Sequence, residues 1–167
     1  MALIWHTWFA YRLAVRARAP LISLAALAAL AGALALGARD AQPLLASLTL
    51  DGKTFRPELA MTPTARGRGL MFRKRAPANG MLFVFPYPTT SGFWMKNTLV
   101  PLTVVFFNAD GKRVARLSMK PCRADPCPVY NPKRLYRFAL ELRASDRRPA
   151  LRLGPVSELR RLVRLSS

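Results

Sequence analysis

Apolar residues fall along this chain in three textures. From Leu21 to Ala38 (LISLAALAALAGALALGA) they run without a single charge. From Ser47 to Arg143 they come in short stretches cut by Pro, Gly, Ser and Thr, and beyond Arg143 they are diluted by arginine. The punctuated middle texture is that of short strands joined by tight connections.

Within it, Ser47-Leu48-Thr49-Leu50 alternates and Asp51-Gly52 is a two-residue hairpin signal. Lys53 to Met61 reads as the return strand, with Pro57 confining it to a sheet edge. Thr62-Pro63 supplies an N-cap and a first helical residue, opening a short helix that Gly67 and Gly69 end. Met81 to Phe85 is continuously apolar, which predicts a strand covered on both faces and stopped by Pro86 and Pro88. In the next strand, alternation points Trp94 and Lys96 to one side and Phe93 and Met95 to the other. Leu102 to Phe107 and Lys112 to Met119 form a second hairpin through Asn108-Ala109-Asp110-Gly111. Tyr136 to Leu142 alternates and reads as a half-exposed late strand, while Val156 to Leu165 fits a helix or a strand equally. About six or seven strands and one short helix predict a mostly β (β-rich α+β) domain, a compact antiparallel sheet curled into a sandwich or a barrel-like form.

The charge-free run changes the picture of where this domain lives. It is long enough for an export signal and marginal for a membrane crossing, which needs about 20 apolar residues. Arg12, Arg16 and Arg18 precede it, so the N-terminus is expected to stay in the cytoplasm while the rest is exported to the periplasm or another extracytoplasmic space. Ala33 and Ala35, or later Ala38, offer a cleavage site; Trp5, Trp8, Phe9 and Tyr11 would suit a retained membrane anchor. The expected organisation is therefore residues 1–38 as signal peptide or anchor, 39–46 as linker, 47–143 as the β-rich domain, and 144–167 as a basic extension that closes or trails it.

Charge points the same way. The chain has 27 Lys+Arg against 8 Asp+Glu; without the three arginines before Pro20 that leaves 24 basic residues and a net charge of +16. Such a surface attracts anionic envelope polymers, acidic peptides or lipid head groups, and export argues against nucleic acid. A compositional arginine bias, with the charges as solvated faces, is the plainer account.

Gly69-Leu70-Met71-Phe72-Arg73, Gly80-Met81-Leu82-Phe83-Val84-Phe85, Phe93-Trp94-Met95-Lys96-Asn97-Thr98, Pro101-Leu102, Asp110-Gly111, Pro121-Cys122 and Leu140-Glu141-Leu142 follow one another in an order that resembles the domain-of-unknown-function-192 family. The resemblance spans Ser47 to Arg143. It implies a small β-rich domain, often secreted or membrane-tethered, without an established biochemical activity. The tail departs from the pattern, with Ala144-Ser145-Asp146 and Gly154-Pro155 where the family shows other glycine positions.

Candidate chemistry is sparse. His6 is the only histidine and precedes the export run, which comes close to excluding histidine-based zinc catalysis from the exported part. Cys122 and Cys127 lie close enough to pair in an oxidising compartment, and a structural disulfide is expected. Met71, Met81, Met95 and Met119 with the two cysteines could hold Cu(I), although thioethers in strands more often pack a core. No two carboxylates share a motif that would split their pKa values. No catalytic residue and no cofactor is assigned. The best ligand groove gathers Trp94, Lys96, Asn97 and Thr98, with Met71, Arg73 and Tyr130 as further contributors, because an aromatic wall with a few converging donors is how such grooves are lined. The reading is a binding or accessory module. The alternative is a small metal-independent enzyme using Lys96 with neighbouring hydroxyls such as Ser91 or Thr98.

Overall fold

The computed structural model describes residues 48–166. The expected export or anchor segment, 1–38, and the whole linker, 39–46, lie outside them. Among the described residues no helix is long and apolar enough to cross a membrane.

The chain opens with the hairpin of β1 (Leu48–Leu50) and β2 (Lys53–Phe55). Asp51 and Gly52 both take positive φ, at 51° and 80°, which matches the twist of a two-residue turn. Pro57 then breaks the predicted return strand. Its second half becomes β3 (Glu58–Ala60), which leaves the hairpin and pairs in parallel with β4 (Met81–Thr89). Between them lies α1 (Pro63–Arg68), whose first turn is capped by the Thr62 hydroxyl accepting from the Ala65 N–H at 3.1 Å.

The main sheet adds β6 (Leu102–Phe107), β7 (Arg113–Met119) and β9 (Tyr136–Arg143), in the order β3-β4-β9-β6-β7. A small ladder joins β5 (Phe93–Trp94) to β8 (Val129–Tyr130). A third sheet places β10 (Leu153–Gly154) beside β1, and α2 (Val156–Leu165) follows. The basic extension thus supplies a strand and a helix. The protein is mostly β, as expected, but the sheets do not close into a barrel: β3 and β7 end the main sheet on opposite sides. The ten strands among the described residues also exceed the expected count, because Pro57 and the short β5–β8 and β10 pairings divide the chain more finely than its apolar runs suggest.

Two further expectations are corrected. Pro86 and Pro88 do not stop β4, which continues to Thr89 through an irregularity in its pairing with β9 between Val84 and Thr89. The Arg137 guanidinium compensates for the interrupted ladder there, donating to the Phe85 carbonyl at 2.9 Å and to that of Pro86. And β9 is not half exposed. It runs between β4 and β6, with all of 138–142 buried.

Alternation along these central strands feeds two apolar clusters, one on each face of the sheet. One joins Leu82, Val84, Val105, Phe107, Phe138, Leu140 and Leu142 to the β1–β2 hairpin and to Leu153, Leu159 and Leu162. Burying Leu159 and Leu162, on one side of α2, contributes about 1.5–3 kcal/mol each. The other cluster unites Met81, Phe83, Val104, Phe106 and Ala139 with Leu70, Met95, Met119 and Tyr136. At Gly111, φ is 74° and an added Cβ would lie 1.9 Å from the Leu153 carbonyl oxygen, so the β6–β7 turn packs directly on β10.

Candidate functional site

Glu141 stands on β9 facing the second cluster, in register with Met81 of β4 and Val104 of β6. Its flanks are apolar, and it is only 5% exposed. Its Oε2 is buried without a hydrogen-bond partner. Desolvation pushes the Glu141 carboxyl up to about 8, so at neutral pH it is predominantly protonated. Leaving a buried polar atom unsatisfied costs about 1–3 kcal/mol, and natural cores rarely accept that without a use for the group.

The use is suggested by what lies in front of it. A narrow cleft of about 30 Å³ is lined by Glu141, Thr98, Phe83, Phe93 and Trp94, and by the end of α1 with its following turn, Arg66 to Met71. Each wall has a local cause. Arg66 pins α1 to β4 by donating to the carbonyls of Met61 and Val84, the latter at 3.0 Å, with its guanidinium 5.4 Å from the Phe85 ring centre. Gly69 ends the helix at φ 46° and ψ −130°, a conformation closed to side chains with a Cβ. Phe93 stands edge-on to Phe83 at 5.0 Å and to Phe106 at 5.6 Å, which seats β5 on the sheet. Beneath it the Tyr136 hydroxyl donates to the Ser91 carbonyl at 2.8 Å, and burial raises its pKa further above the ordinary tyrosine value.

The groove residues expected from sequence distribute unevenly around this cleft. Trp94, Thr98 and Met71 line it. Trp94 is 50% exposed, whereas Thr98 is buried. Lys96 lies 5.8 Å from the Trp94 ring centre, and its ammonium meets the Asp125 carboxylate at 2.8 Å. Asn97 sits in a left-handed turn at φ 55° and its carbonyl accepts from the Phe72 N–H at 2.8 Å, tying the loop after α1 to the β5 loop. Arg73 turns instead to Glu58, at 2.8 Å. The Tyr130 hydroxyl accepts from the Lys120 N–H at 3.1 Å. Arg73 and Tyr130 are not among the cleft-lining residues.

The lysine–hydroxyl pairing of the enzymatic alternative does not form: Lys96 bonds Asp125, and the Ser91 hydroxyl bonds Thr89 at 2.8 Å. Cys122 and Cys127 are joined by a disulfide. Although Asp125 lies near both sulfurs, neither is available as a thiolate ligand, and Met81, Met95 and Met119 are buried in the apolar cluster. The soft-metal site expected as an alternative therefore has no thiolates.

Glu141 was missed because Leu140-Glu141-Leu142 looks like a strand with its acid turned to water. The available signal was the surrounding run Phe138-Ala139-Leu140, too apolar for an exposed strand. Wider hollows lie elsewhere, about 530 Å³ beside Lys74, Arg75 and Arg143, about 340 Å³ beside Arg137, Arg160 and Arg164, and about 230 Å³ beside Asp51, Lys53 and Arg148. None of these three is lined by a deeply buried polar side chain, so the smaller cleft is the better site despite its size.

Fold and site together define a small, open β-sheet domain with one buried acid at the foot of an aromatic-walled cleft. The chain belongs to the DUF192 family, described as "Uncharacterized ACR", whose model matches residues 46–149. Among solved structures it is similar to a candidate transcription regulator from Sinorhizobium meliloti, at 28% identity and TM-score 0.57, covering 67% of this chain and 94% of that one. It is also similar in fold to a protein of unknown function from Novosphingobium aromaticivorans, at 23% identity and TM-score 0.59, covering 71% and 90%. No curated protein matches the chain.

Proposed function

We propose that this protein is a ligand-binding module, held outside the cytoplasm by the segment 1–38, whose site is the cleft between α1 and β5. One observation carries the reading: a buried carboxyl oxygen without a partner opens onto a cleft whose lip is a half-exposed tryptophan. A buried polar group left unmatched by the fold calls for a partner from outside it, and a cleft gives that partner its way in.

Further support comes from the rim. Phe72 is 65% exposed beside Met71, and Val129 is exposed opposite Trp94 across the β5–β8 ladder, where directly paired residues share a face. Exposed apolar groups gathered at a cleft mark an interaction site. The lining side chains offer one acid and one hydroxyl, which suits recognition better than general acid–base or nucleophilic chemistry. The regulator description of the Sinorhizobium protein would suggest nucleic acid. The export-type segment of this chain favours an envelope ligand instead.

The test is native mass spectrometry of the full chain extracted from its own membranes. The expected result is a retained small molecule on the wild type that is lost from Trp94→Ala, with the fold of the variant verified by circular dichroism. A wild-type spectrum of bare protein would overturn the reading, as would a ligand retained equally by Trp94→Ala.

A further inference from the structure

Resting on that reading, we infer that the cleft recognises the carboxylate head of a molecule with a slim hydrocarbon body, Glu141 donating its proton to the ligand oxygen while the body lies along Trp94 and Phe72. About 30 Å³ admits a water or one small head group, and no more. Whatever binds must therefore insert its tip and leave the rest outside, where the exposed surface is apolar: the aromatic Trp94 and Phe72 and, beside Thr98, the aliphatic Leu99.

The chemistry of the tip follows from the floor. A protonated carboxyl has one O–H to give, and a carboxylate oxygen is its strongest acceptor, because a hydrogen bond to an ionised partner is about twice as strong as a neutral one. An ammonium tip would instead need Glu141 ionised, and it would face the like charges of Arg66 and Arg68. Charge around the site agrees. The titratable lining groups besides Glu141 are Arg66 and Arg68, both from α1; the β4, β5 and β6 neighbours, Met81, Phe83, Phe93, Trp94 and Val104, offer none. Lys96 is taken by Asp125. The rim is thus cationic within a chain of net charge +19, and steers anions inward. Thr98, 6% exposed, supplies the hydroxyl at the wall, which donates to the Lys96 carbonyl at 3.4 Å and keeps its oxygen as an acceptor.

The experiment is isothermal titration of the full chain in nanodiscs with hexanoate, acetate and hexylamine between pH 6 and pH 10, on wild type, Glu141→Gln and Thr98→Val. Hexanoate is expected to bind more tightly than acetate, with constant affinity at low pH and a loss of about tenfold per unit once Glu141 ionises. Glu141→Gln retains a donor, so it should still bind hexanoate but without that loss. Hexylamine binding that strengthens on crossing pH 8 would overturn the carboxylate assignment while leaving the cleft as a binding site. Acetate equal to hexanoate would also overturn it, as would a pH profile unchanged in Glu141→Gln. If no probe binds and Glu141→Gln and Thr98→Val remain folded, the broader reading of the cleft fails with it.

Discussion

A Cβ placed on Gly69 would stand 3.9 Å from the Oε2 of Glu141 and 3.1 Å from Cζ of Phe83. The missing side chain is what keeps the floor of the cleft reachable. Gly69→Ala is expected to press on the Phe83 ring, strain a backbone that only glycine adopts freely, and lower stability by about 1–3 kcal/mol. Denaturant unfolding checks the stability, and loss of the retained ligand in the still-folded variant checks the cleft. Gly67, where an added Cβ meets nothing within 4 Å, is the control for stability: Gly67→Ala should unfold at an unchanged or higher denaturant concentration.

The buried acid should give stability an unusual pH dependence. In the folded protein Glu141 titrates at about 8, against an ordinary value of 4.5, so between these pH values the folded state holds a proton that the unfolded state has lost. Unfolding releases that proton. Stability from this group is full below about pH 4.5 and falls as pH rises to about 8, by at most about 1.4 kcal/mol per pH unit. Glu158, held below the usual carboxylate range by its hydrogen bond to Arg161, acts in the opposite sense and only at acid pH. Urea midpoints measured across pH 5 to 9 should decline in the wild type and stay flat in Glu141→Gln.

The disulfide loop should matter more for the lip of the cleft than for global stability. Closing a loop this short, with a sequence separation of 5, stabilises by about 2 kcal/mol on the chain-entropy estimate. The Lys96–Asp125 pair on that loop is exposed and contributes about 0–1 kcal/mol. Cys122→Ser with Cys127→Ser is therefore expected to lower stability by no more than about 2 kcal/mol, and Asp125→Asn by less than about 1 kcal/mol, an effect that salt removes. Faster amide hydrogen exchange confined to residues 122–127 and the Lys96 turn would confirm the local origin.

Much of the architecture was legible because its signals are local. Asp51-Gly52 and Gly111 mark hairpins by the positive φ they adopt, Thr62-Pro63 starts a helix by its cap, and Phe93-Trp94-Met95 declares its faces by alternation. What stayed hidden depends on partners far along the chain. The parallel pairing of β3 with β4 follows from where Pro57 lets the strand leave its hairpin, and the continuation of β4 through Pro86 and Pro88 relies on Arg137, 51 residues away from Pro86. Glu141 is the sharpest case. Its own strand reads as one-sided, and only the covering of β9 by β4, β6 and the end of α1 turns its carboxyl into the floor of a cleft. The tryptophan at the lip was visible in the sequence, whereas the acid below it was visible only as part of a strand.

The most direct measurement is a carbon-13 nuclear magnetic resonance titration of the Glu141 carboxyl in the folded, full-length chain, with Glu141→Gln used to assign the signal. A midpoint near 8 is the expected result, placing a neutral acid beneath Trp94 under physiological conditions. A midpoint near the ordinary 4.5 would mean an ionised, solvated carboxylate there and would contradict the account of the cleft.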